Sequence, residues 1–67
     1  MRVLKWHYDN NFGEWYVNES VPYAKDGFAI IKEYGYYVLR GGENKSWGFR
    51  FKKLKSAKQV AELITNG

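Results

Sequence analysis

The spacing of apolar residues changes once along the chain. Up to about residue 52 they recur at a period near two, and after Ser56 at a period near 3.6. Leu4, Trp6 and Tyr8 alternate with Lys5 and His7, which predicts a half-buried strand over 2–8. The stretch Asp9-Asn10-Asn11-Phe12-Gly13 is dense in turn formers and predicts a hairpin loop. The return strand runs from Glu14 to Asn18, with Trp15 and Val17 on one face and Tyr16 on the other. The segment from Asn18 to Gly27 holds the single proline, Pro22, and is the one connection long enough to redirect the chain. Phe28-Ala29-Ile30-Ile31 and Tyr36-Tyr37-Val38-Leu39 read as strands flanking Lys32-Glu33-Tyr34-Gly35, a hairpin signal in which Gly35 is free to take positive φ. Gly41 to Ser46 reads as a loop. Trp47, Phe49 and Phe51 then follow at strict period two, with Gly48, Arg50 and Lys52 on the opposite face, which is the clearest strand in the chain.

The helical pattern is as clear. Ser56-Ala57-Lys58-Gln59 fits a capping box, in which the serine hydroxyl accepts from the third helical amide and the glutamine reaches back. Ala57, Val60, Ala61 and Ile64 form one apolar stripe, Leu63 widens it, and Asn66-Gly67 supplies a stop. A helix this short is stabilised by docking its stripe rather than by propensity. The expected fold is therefore α+β, a single domain over 1–67: a small antiparallel sheet of three to five short strands with one C-terminal helix packed on one face. Trp47, Phe49 and Phe51 should lie under the helix, with Trp6, Tyr8 and Trp15 as cross-strand partners. One side of such a sheet cannot hide every ring. Tyr16, Tyr23, Tyr34 and one of Tyr36 and Tyr37 are left for the surface.

Composition narrows the picture. The chain has 67 residues, 45% of them hydrophobic, with three Trp, six Tyr, four Phe and no Cys. That is too aromatic for a disordered tail, and without cysteine there is neither a disulfide framework nor a thiolate metal site. The rings are the expected substitute, since each buries roughly 150–250 Å². No run approaches the ~20 apolar residues of a membrane span, and Met1 to His7 shows no signal-peptide pattern. A cytoplasmic protein with no membrane partner is expected. Its Lys, Asn and Tyr usage resembles that of small proteins from AT-rich bacterial or phage genomes.

Catalytic chemistry is poorly represented, and no enzyme, metal or cofactor is expected. His7 is the one histidine, reads as a surface residue beside Lys5, and has no cysteine or paired ligand to work with. Asp9 and Glu14 read as solvated ends of a hairpin. Gly41-Gly42-Glu43-Asn44-Lys45-Ser46 lacks the spacing of a phosphate-binding loop, and Glu43 would repel phosphate.

Charge is the informative feature. The net +4 is an average: residues 1–39 carry −1 and residues 40–67 carry +5. Between Asn44 and Ala61 there are six basic residues and no acid. Such an end attracts a polyanion, because each neutralised phosphate releases condensed counterions. The expected nucleic-acid-binding residues are Arg40, Lys45, Arg50, Lys52, Lys53, Lys55 and Lys58, with Tyr37 offering a ring to an unpaired base.

The segment from Gly35 through Phe51 to Lys58, with its last hairpin, the Gly48-Phe49 pair and an alanine after the helix cap, resembles the arm-type N-terminal DNA-binding domains of tyrosine recombinases over about half the chain. It is similar as well to small phage proteins of hairpin-plus-helix pattern. The resemblance implies a sheet that enters the DNA major groove, with Arg40, Arg50 and Lys52 facing DNA. The expected function is a nucleic-acid-binding module, DNA ahead of RNA, serving a phage or mobile element as a monomer or small homo-oligomer. The alternative is a protein–protein interaction module, a phage-encoded modulator of a host protein or a homo-oligomer, using the exposed tyrosines.

Overall fold

A computed structural model of the chain describes residues 2–67. Five strands run β1 (His7–Asp9), β2 (Glu14–Val17), β3 (Phe28–Glu33), β4 (Tyr36–Gly41) and β5 (Trp47–Phe51), followed by one helix, α1 (Leu54–Asn66). They form a single sheet in chain order, β1-β2-β3-β4-β5, with every neighbouring pair antiparallel. The α+β class expected from the two periodicities is the class observed. Among the described residues, no helix is long and apolar enough to cross a membrane.

The strand registers sort side chains cleanly onto two faces. Tyr8, Trp15, Ile30, Leu39 and Phe49 make one cross-strand row on the side that α1 covers. Phe28, Ile30, Leu39 and Val17 are fully buried there, against Ala57 and Ala61 of the helix. The two alanines let the helix backbone approach the sheet closely. A belt of rings closes the core around them: Trp6 with Phe28 at 6.4 Å, Phe28 with Trp47 at 6.2 Å, Tyr8 with Trp15 at 4.8 Å and Trp15 with Tyr37 at 5.9 Å. This is how a short chain without disulfides fills its interior.

Two turns explain local sequence. Tyr34 (φ 51°) and Gly35 (φ 82°) are both left-handed, the requirement of a two-residue type I′ hairpin whose twist matches its strands. The Gly41-Gly42 pair is a seat for Trp47: a Cβ on either glycine would stand 2.7 Å from the indole. The glycines that invite comparison with a phosphate loop are thus occupied by a ring.

Four local expectations are corrected. The helix begins at Leu54, with Lys53 as its N-cap and no side-chain cap bond, so Ser56 lies inside the first turn and the capping box is not formed. Leu54 accounts for the shift: at the first helical position it is partly buried against the core, a contact of the same order as a cap worth about 1 kcal/mol. Leu63 does not widen the buried stripe and is 70% exposed. Phe49 lies on the helix side as expected but is 56% exposed, because β5 is an edge strand that α1 covers incompletely. The first strand is confined to His7–Asp9. Ahead of it the chain leaves the sheet: the Asn66 side-chain amide accepts from the Arg2 amide at 2.7 Å and donates to the Arg2 carbonyl at 2.9 Å, pinning the start of the described chain to the end of α1.

Candidate nucleic-acid interface

The face opposite α1 carries no helix and is exposed at His7, Tyr36, Arg40, Gly48 and Arg50, although Ala29 at its centre is buried. Its cross-strand rows are His7, Tyr16, Ala29, Arg40 and Gly48, and beside it Asp9, Glu14, Ile31, Val38 and Arg50. Glu33 pairs with Tyr36 in a third. Arg40 lies opposite Gly48, where a Cβ would stand 3.2 Å from the Leu39 carbonyl oxygen and 3.4 Å from Arg40 Cγ. Arg50 places its guanidinium 5.5 Å from the Tyr36 ring centroid, a cation–π contact that orients the fork without neutralising it. His7 and Tyr16 stack at 5.3 Å at the far end of the same face.

Charge on this face is graded. Asp9 and Glu14 stand at the β1–β2 end, Arg40 and Arg50 at the β4–β5 end, and Glu33 lies next to Tyr36. The basic end continues around the β5–α1 corner through Lys52, Lys53 and Lys55, all exposed. The first turn of α1 carries no acid and its N-cap makes no side-chain bond, so the positive end of the helix dipole adds to these lysines. Among the described residues the one ion pair is Arg2 with Glu19 at 4.0 Å, leaving Arg40, Arg50, Lys52, Lys53 and Lys55 without a carboxylate partner.

Three of the expected binding residues stand apart from this group. Lys45 donates its ammonium to the Asp26 carbonyl at 2.9 Å, in the turn after β4. Lys58 sits 5.9 Å over the Trp6 ring, in the helix layer. Tyr37 belongs to the covered face, where it is half-buried with its ring edge-on to Trp15 and the Lys32 ammonium 5.6 Å above it. The ring that accompanies the arginines is Tyr36. Parity within β4 carries that signal, since Tyr36 lies four residues before Arg40 and so shares its face.

The class that fold and face define is an α+β domain: a five-stranded meander with one helix on one side and a polarised open face on the other. Comparison with known proteins gives no match, whether to a family model, a curated protein or a solved structure.

Proposed function

We propose that this chain is a non-catalytic nucleic-acid-binding module that holds duplex DNA against the β4–β5 half of its open face and the adjoining β5–α1 corner. One observation carries the reading. Arg40 and Arg50 project from neighbouring strands onto the same helix-free face without carboxylate partners, and three exposed lysines extend their charge around the corner. Five strands at about 4.8 Å spacing span roughly 20 Å, wider than the ~12 Å major groove. The face therefore rests on phosphates, and binding is largely independent of base sequence. Asp9 and Glu14 keep the polyanion off the β1–β2 end. A protein from a phage or mobile element, working in the cytoplasm, suits this role and the composition.

An anisotropy titration of labelled duplex DNA at several salt concentrations tests it. Five phosphate contacts give a log–log slope of about −4 to −5. The double variant Arg40→Glu, Arg50→Glu should bind much more weakly and with a shallower slope. Unchanged binding by that variant, or no binding at low salt, would overturn the reading. Single-stranded DNA and RNA are run in parallel, and a preference for either would replace duplex DNA as the ligand.

A further inference from the structure

A second surface lies on the other side of β5. Tyr23, Trp47, Phe49, Ile64 and Gly67 line an apolar groove of about 420 Å³ along the margin of the sheet. Two of its walls are unusual for a free surface. Phe49 is 56% exposed, with its ring tilted at 47° against Trp47 at 5.7 Å. Tyr23 is 78% exposed and held at φ 67°, a left-handed conformation that glycine or asparagine occupies at far less cost. Trp47 Nε1 donates to the Tyr23 carbonyl at 2.9 Å, so that turn and strand are tied together at the groove.

The groove borders an unpaired strand edge. The two-residue turn at Tyr34-Gly35 makes Glu33 and Tyr36 the closing hydrogen-bonded pair, and alternation then turns Tyr37, Leu39 and Gly41 towards β5. On β5, Trp47, Phe49 and Phe51 face back to β4, and the backbone groups of Gly48 and Arg50 point outward. Charge decides what this edge accepts. A second copy pairing β5 with β5 offers Arg50 and Lys52 no carboxylate, because the chain carries no acid between Asn44 and Ala61. An acidic strand is complementary.

We infer that the β5 edge and its groove form a strand-addition site for an extended segment of another protein in which apolar and acidic residues alternate. The segment pairs with the backbone of Gly48 and Arg50. Its apolar side chains enter the groove between Tyr23, Phe49 and Ile64, and its carboxylates lie on the opposite face beside Arg50. Period two in β5 imposes period two on its partner.

A short fluorescein-labelled peptide of alternating leucine and aspartate probes this directly. It should bind with micromolar affinity and slow hydrogen exchange at the Gly48 and Arg50 amides. Phe49→Ser, at a largely exposed position, should weaken it roughly tenfold, the loss of about 1.4 kcal/mol of apolar contact. A peptide with lysine for aspartate, and one N-methylated along the pairing edge, should each bind at least as poorly; these keep the protein intact. Equal affinity for the lysine peptide, no protection of Gly48 and Arg50, or no binding would overturn the inference. So would a concentration-dependent dimer that protects those same amides, which would assign the edge to a second copy. Phe49→Ser should leave DNA affinity unchanged, which distinguishes failure of this site from failure of the DNA-binding face; the two share Arg50, so the acidic peptide and DNA should compete.

Discussion

Replacing Tyr34 with asparagine should stabilise the fold, although nothing is added to the core. Tyr34 occupies the first position of the type I′ turn at φ 51° and is 99% exposed, so its ring contributes no burial that the substitution could remove. A left-handed residue other than glycine or asparagine costs roughly 1–2 kcal/mol, and Asn-Gly is the favoured pair for this turn. Tyr34→Asn should therefore gain about 1 kcal/mol, which in a domain of this size raises Tm by roughly 4–8 °C. The companion Gly35→Ala isolates the same effect with opposite sign. A Cβ on Gly35 meets no atom within 4 Å, so its destabilisation is conformational alone. Its size should be about 1 kcal/mol. Thermal unfolding followed by far-UV circular dichroism, with urea midpoints as a second measure, reads both. A Tyr34→Asn protein that melts at or below the parent temperature would refute the argument, because it would mean the ring supplies stability despite its exposure.

The helix start gives a paired test: Ser56→Ala should alter stability by no more than about 0.5 kcal/mol, whereas a serine in a formed capping box would lose about 1 kcal/mol. Lys53→Ser should gain roughly 1 kcal/mol by capping α1 while removing one cation from the DNA-binding corner, so urea midpoint and DNA affinity move in opposite directions. Asn66→Ala breaks both bonds to Arg2 at an exposed site; a cost of about 0.5–1.5 kcal/mol in urea and faster exchange of the Arg2 amide are expected. Leu39→Ala, in the fully buried centre of the sheet, should cost about 2–5 kcal/mol, a large part of the stability such a domain has, and is read from the same urea curves.

Local pattern carried much of this fold. Alternation alone placed Trp15 and Val17 opposite Tyr16, and Trp47, Phe49 and Phe51 opposite Gly48 and Arg50, because successive strand residues must point to opposite faces. The hairpin over 32–35 was legible for a similar reason, since glycine is the residue that accepts its φ, but the structure carries β3 on to Glu33 and leaves only Tyr34 and Gly35 in the turn. The charge asymmetry between the two halves needed no structure either. Other features depended on contacts between distant segments. Whether Phe49 is covered is decided by how far α1 reaches over the edge strand, and where α1 begins is decided by the burial of Leu54 rather than by the hydroxyl of Ser56. The role of Gly41-Gly42 is set by the Trp47 indole, only five to six residues on but brought back over the pair by the turn into β5. Above all, sequence determined that the basic residues are numerous, but register and packing determined which of them meet. Arg40 and Arg50 share the open face because β4 and β5 pair with Arg40 opposite Gly48. Lys45 and Lys58 are held elsewhere by a carbonyl and by a ring, partners that lie far from them along the chain.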